Sequence, residues 1–127
     1  MIQFLKLIFN ISVFLLILLS LFPGSIIGLL FYDNVTYDPT STQNFLFISL
    51  NHFITYFYVG LLGFFLYAKS KNLKKILYFL TFLSLILEIS HALIPNRAFE
   101  INDLVSNILG VLVAYWVLKI YLLFKKL

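Results

Sequence analysis

Two histidines, five carboxylates and one arginine hold most of the chemistry available to this 127-residue sequence, which has no cysteine. His52 and Tyr56, Glu88 and His91, and Asp103 and Asn107 are separated by three or four residues, so each pair shares a helix face. Arg97 stands between the last two pairs. Imidazole beside carboxylate can hold a proton or ligate a metal, and a guanidinium pairs with phosphate. Glu88-x-x-His91 is half of a carboxylate-bridged di-metal pattern, but the second Glu-x-x-His and the two further glutamates are missing. A mononuclear site from His52, Glu88 and His91 stays open. Ser49, Ser84, Ser90 and Ser106 lack the glycine context of an activated nucleophile, and no glycine-rich phosphate loop occurs. Without cysteine there is no thiol catalysis, Cys-ligated zinc or iron–sulfur cluster. The expectation is no resident metal and no cofactor.

The elements that must position these residues are apolar. Hydrophobic residues make up 62% of the chain and charged ones 11%, with a mean hydropathy of +1.03. A soluble domain carries about 25% charge, so the sequence reads as a membrane protein. At roughly 20 residues per span, it provides for four spans in one domain, residues 1–127. The spans are expected over 4–22, 45–68, 76–94 and 101–124, forming an all-α, four-transmembrane-helix bundle. Pro23-Gly24 ends or kinks the first span, and an apolar stretch resumes over Ile26 to Tyr32. That resumption argues for an uncleaved span over a signal peptide.

The net charge is +4, and the cations are sorted by position. Lys6, Lys69, Lys71, Lys74, Lys75, Lys119, Lys125 and Lys126 fall near the N-terminus, the second loop or the C-terminus. By the positive-inside rule both termini are cytoplasmic. Asp33, Asp38, Glu88, Glu100, Asp103 and Arg97 then face or approach the outside. This sorting is unlike a nucleic-acid-binding stripe. Tyr32, Tyr37, Tyr67, Tyr78 and Tyr121 lie near the expected interfaces.

A charge at bilayer depth costs about 2.5–3.5 kcal/mol on insertion scales, which makes the polar residues inside the spans candidates for function. His52, Glu88 and Asn107 are expected about 9–10 Å below the outer interface, with His91 and Asp103 one turn nearer to it. Thr81, Ser84, Glu88 and His91 form one stripe, as do Asp103, Asn107, Gly110 and Ala114. Ser49, His52, Tyr56, Gly60, Gly63 and Tyr67 form a third. Gly60, Gly63 and Gly110 are small enough for helices to approach closely. The polar cluster should therefore lie between helices, with Glu88, Arg97 and Asp103 coupled and His52 and Asn107 completing its inner wall. Tyr56 and Tyr67 read as packing and anchor residues.

Laid out as Glu88-x-x-His91-x-x-x-Pro95-x-Arg97, then Asp103-x-x-x-Asn107-x-x-Gly110, the sequence resembles the VanZ-like family of small bacterial membrane proteins. That family shows Glu, Gln, an Arg after a turn, Asp, Asn and Gly across its last two spans. A His followed by Tyr opens the preceding span, where His52, Tyr56 and Gly60 fit. Ser20-x-x-Pro23 resembles the end of the first span. The resemblance covers residues 46 to 114. His91 replaces the family's Gln, Ala114 replaces a Gly, and Ile48 and Ser49 stand where the family often has an Asp-Lys pair. The resemblance implies a multi-pass protein of the bacterial cytoplasmic membrane and a link to teicoplanin-type glycopeptide resistance. It brings no cofactor and no defined reaction.

The preferred reading is a non-enzymatic protein whose outward polar pocket engages an envelope lipid or lipid-linked precursor, with Arg97 pairing a phosphate. A membrane protein partner is also compatible; nucleic acid is not. The alternatives are an enzyme acting on a lipid headgroup or polyprenyl phosphate, with Glu88 or His52 as general base, and a structural or assembly subunit. In the last case, polar residues would only hold helices together. Proton transport is disfavoured because the cytoplasmic halves of the spans carry no polar chain.

Overall fold

A computed structural model describes residues 2–37, 44–45 and 48–125. Asp38 and Lys126 lie outside the described residues, as does half of the polar stretch 33–44 between the first two expected spans. The chain is mostly helical. The described residues contain α1 (Ile2–Leu21), α2 (Ile26–Tyr32), α3 (Leu50–Leu66), α4 (Leu73–His91) and α5 (Ile101–Phe124). A short antiparallel pairing of β1 (Asn44–Phe45) with β2 (Ile48–Ser49) precedes α3. By length and composition, α1 and α5 are long and apolar enough to cross a membrane.

Local chemistry sets the ends of these helices. Pro23 pushes Phe22 out of helical geometry, and Gly24 then adopts φ 97°, a left-handed conformation that side chains resist. Ser25 caps α2 by accepting from the Gly28 N–H at 3.0 Å, and Asp33 closes it with φ 49°. After α4 the turns tighten to i→i+3 bonds through Ala92, Leu93 and Ile94. Pro95 and Asn96 (φ 59°) then form a turn closed by the Arg97 N–H on the Ile94 carbonyl at 3.2 Å.

One expected boundary moves substantially. The stretch assigned to a span over 45–68 becomes helical only at Leu50 and stops at Leu66, leaving 17 residues. Asn44–Phe45 and Ile48–Ser49 before it are extended because Asn44 pairs with Ser49 and Phe45 with Ile48. His52 is consequently the third residue of its helix, in the first turn and not deep within a span. The α4 helix is displaced three residues toward the N-terminus of the expected 76–94, since its last residues go into the tightened turns.

Helices α3 and α5 form the most extensive pairing in the fold. They run parallel. Ser49 meets Asp103 and Ser106, Gly110 lies against the Phe53 carbonyl, and Phe65 packs on Tyr121. The α1 and α4 helices run the other way: Phe9 and Ile76 both abut Gly63, while Ser20 and His91 meet at the opposite end. Phe64, Leu80, Val111, Ala114 and Leu118 are fully buried at the centre. Large apolar residues such as Phe4, Phe14, Phe82 and Trp116 face outward, each more than 60% exposed.

Gly110 permits the α3–α5 approach. A Cβ there would stand 2.5 Å from the Phe53 carbonyl oxygen and 2.9 Å from the Phe57 nitrogen, both rigid helix backbone. At Gly60 the nearest atom would be the Ala114 Cβ at 3.0 Å. Gly110→Ala is therefore expected to cost about 1–3 kcal/mol of stability. Gly60→Ala should be close to neutral, because about 1 kcal/mol of gained helix propensity offsets a mild clash. Thermal denaturation of the detergent-solubilised protein checks the ranking, and equal losses in the two variants would contradict it.

Candidate functional site

At one end of the molecule the N-termini of α3 and α5 meet the C-termini of α1 and α4. Residues around this end exchange hydrogen bonds across helices. Asp103, in the first turn of α5, accepts a hydrogen bond from the Ser49 hydroxyl on Oδ1 and faces His52 Nε2 at 3.2 Å through Oδ2. His52 Nδ1 lies 3.2 Å from Asn107 Oδ1. The Ser49 N–H donates to Ser106 Oγ at 2.8 Å, and Ser106 donates to the Asn102 carbonyl at 2.6 Å. The start of α3 is thus fastened to α5 by side chains one turn apart. A carboxylate in the first turn also complements the partial positive charge of the helix N-terminus.

Glu88 is the most enclosed acid, at 1% exposure. Its Oε1 accepts from the Glu100 N–H at 3.0 Å and lies 3.4 Å from His91 Nδ1. His91 Nε2 faces the Ser20 carbonyl at 3.1 Å. A carbonyl can only accept, so that nitrogen carries a hydrogen and a single proton is shared between Nδ1 and Glu88. Both nitrogens of His91 are engaged by the protein. Of the three residues His52, Glu88 and His91 left open as a mononuclear metal set, the structure replaces His91 by Asp103. One ligand atom from each of His52, Glu88 and Asp103 lies within 4.8 Å of the other two.

Arg97 departs from its expected place. Its Nε donates to the Phe22 carbonyl and its Nη2 to the Leu19 carbonyl, each at 3.2 Å. Among the described residues it pairs with neither Glu88 nor Asp103; the ion pairs are His52–Asp103 and His91–Glu88. The last carbonyls of a helix lack intrahelical partners and attract cations. With Pro23 ending α1, those carbonyls claim the guanidinium before any carboxylate does. Sequence spacing could not weigh this competitor, because α1 is more than seventy residues away in the chain.

Tyr56, expected both to pack and to belong to the functional polar cluster, is buried at 3% exposure, and among the described residues its hydroxyl has no hydrogen-bond partner. It lies one turn after His52 on the same face. Ser49 and Ser106 belong to the cluster. Spacing had already set Ser49 on the stripe of His52 and Tyr56, whereas nothing in the spacing placed Ser106 beside it. The side chains of His52 and Asp103 are 29% and 17% exposed, so the cluster opens outward on their side and is closed at Glu88.

The pairing pattern sets two expectations for stability. A double-mutant cycle on His52→Ala and Asp103→Ala should give a coupling energy of about 0.5–3 kcal/mol. Arg97→Ala should cost about 1 kcal/mol through the uncapped α1 carbonyls and add to Asp103→Ala without coupling. Chemical denaturation in detergent reads both cycles. Strong coupling between Arg97 and Asp103 would contradict the arrangement.

No curated protein and no solved structure matches the chain. The family model described as VanZ/LLP1 matches residues 4–124, nearly the whole sequence and well beyond the stretch in which the motif residues stand. The chain therefore belongs to the VanZ/LLP1 family.

Proposed function

We propose that this protein is a single-domain, four-span VanZ-like protein of the bacterial cytoplasmic membrane whose outward polar pocket engages an envelope lipid or lipid-linked precursor. Family membership and the two long apolar helices support the membrane assignment. The orientation rests on charge. The described lysines belong to the N-terminal part of α1, the α3–α4 connection and first turn of α4, and the C-terminal part of α5 with the residue after it, while Glu88, Glu100, Asp103 and Arg97 lie at the other end. The positive-inside rule puts the lysine end and both termini in the cytoplasm.

The observation that carries the lipid reading is the polar cluster itself. His52, Glu88, Asp103 and Asn107 come from three helices, lie among buried residues and open outward beside strongly apolar helix surfaces. A headgroup placed at that opening would meet hydrogen-bonding groups while its chains stay in hydrocarbon. Tyr56 and His91 line and orient the inner wall, and Arg97 stands at the rim, bonded to carbonyls at the end of α1. In this reading a role in teicoplanin-type resistance or envelope homeostasis follows from lipid engagement and needs no turnover. A pocket that processed its lipid, with His52 as general base, is the second reading; the exposure of His52 and its contact with Asp103 favour it over Glu88 for that role.

Two measurements test the proposal. The natural absence of cysteine allows a single-cysteine scan. In intact cells an impermeant thiol reagent should label Thr36→Cys and spare Lys71→Cys, and the reverse pattern would overturn the orientation. Native mass spectrometry of the purified protein should show a retained phospholipid or polyprenyl phosphate that is lost in Asp103→Asn. A lipid-free wild type would defeat the pocket reading, and turnover of an added lipid would favour the enzyme.

A further inference from the structure

We infer that His52, Glu88 and Asp103 form the binding site of a divalent transition-series cation, Zn2+ being the ion best matched to one imidazole and two carboxylates. The three ligand atoms lie within 4.8 Å of one another and come from α3, α4 and α5. His52 Nε2 and Asp103 Oδ2 are 3.2 Å apart. Two donors about 2.0–2.2 Å from one zinc ion span a similar edge, so only the Glu88 carboxylate must swing inward.

The decisive feature is that one polar atom of each ligand is already held by a partner outside the trio. Asn107 Oδ1 sits at His52 Nδ1, 3.2 Å away, and accepts the Nδ1 hydrogen, so Nε2, on the Asp103 side, is the nitrogen that gives up its hydrogen to take an ion. Ser49 holds Asp103 Oδ1, leaving Oδ2 toward His52. The Glu100 N–H and His91 hold Glu88 Oε1, leaving the second oxygen. Outer partners of this kind fix the tautomer and the aim of metal ligands. The nearby cation that would compete for the two carboxylates is turned away, since Arg97 donates to the Leu19 and Phe22 carbonyls.

Tyr56 supplies an independent observation. Its hydroxyl is buried and, among the described residues, unpartnered, on the helix face of His52 and one turn further along α3. Buried phenol hydroxyls ordinarily have a partner. Three protein ligands leave at least one coordination position on the ion, and a water or anion there would accept the Tyr56 hydrogen. Exposure of His52 and Asp103 gives the ion a route in from the outer end. The inference goes beyond lipid engagement. If both hold, the ion supplies the positive charge with which an acid-rich pocket would meet a phosphate oxygen.

The test is zinc alone, added without lipid to tag-free protein in detergent and followed by desalting and elemental analysis. Wild type should retain one ion per chain, and His52→Gln and Asp103→Asn should bind at least tenfold more weakly. Asn107→Leu should weaken binding about 10- to 100-fold, the effect of losing an outer partner. X-ray absorption of the zinc-loaded wild type gives a reading independent of variant folding. With two histidines and no cysteine in the sequence, it should show a nitrogen and oxygen shell with one imidazole and no sulfur. No retained zinc, zinc retained in both His52→Gln and Asp103→Asn, or a shell without imidazole would each overturn the site. Zinc binding that survives while no lipid is found would refute the proposed function alone.

Discussion

A carboxylate with almost no contact with solvent controls the architecture of the end where the α3 and α5 N-termini meet the α1 and α4 C-termini. Glu88 must find donors within the protein, because an unpaired charge at that depth is worth several kcal/mol against folding. It finds them in the Glu100 N–H and His91. The first bond fixes the path from α4 into α5, since the residue before α5 must return to the end of α4. The second orients an imidazole whose other nitrogen takes the Ser20 carbonyl and so ties α1 to α4. One buried acid thus determines the mutual placement of three helix ends.

The parallel pairing of α3 with α5 faces a difficulty of its own. Two helix N-termini set side by side bring like partial charges together. Asp103 sits at that junction, accepts from Ser49 and faces His52, and so links α5 to α3 while answering their common polarity. Gly110 allows the two backbones to close upon each other just below. The opposite dipole ends meet the same logic at α1, where Arg97 and His91 serve the terminal carbonyls. Each terminus is answered by a group of the appropriate charge, and the candidate site is what this exchange leaves facing outward.

Much of the apolar surface is not buried within the protein. Leu30, Phe31, Tyr78, Phe82 and Trp116 each present more than 60% of their surface. In a membrane such side chains would gain little by moving inward, and helix association would then depend on close packing and interhelical hydrogen bonds. That explains why Ser84, Glu88, Ser106 and Asn107 are as fully buried as Phe64 and Leu80. Polar groups here hold the helices together, and the same groups are the ones that can meet a ligand.

The apolar runs, the proline and glycine breaks and the sorting of lysines were enough to read helices, their approximate limits and their stripes. These are local properties: a run of Leu, Ile and Phe, a Pro23-Gly24 break or an i, i+3 spacing retains its meaning whatever the rest of the chain does. The helix Ile101–Phe124 emerged at its expected limits for that reason. The spacing of Glu88, His91, Asp103 and Asn107 likewise indicated which residues share a face. The partners were decided only by tertiary structure. His91 went to Glu88 and α1 instead of a metal set, Arg97 went to the Leu19 and Phe22 carbonyls instead of a carboxylate, and His52 entered at a first helical turn after an extended segment. Hydrogen-bond choice depends on which acceptors arrive within about 3 Å, and such arrivals join residues 50 to 80 positions apart, a separation over which periodicity carries no information.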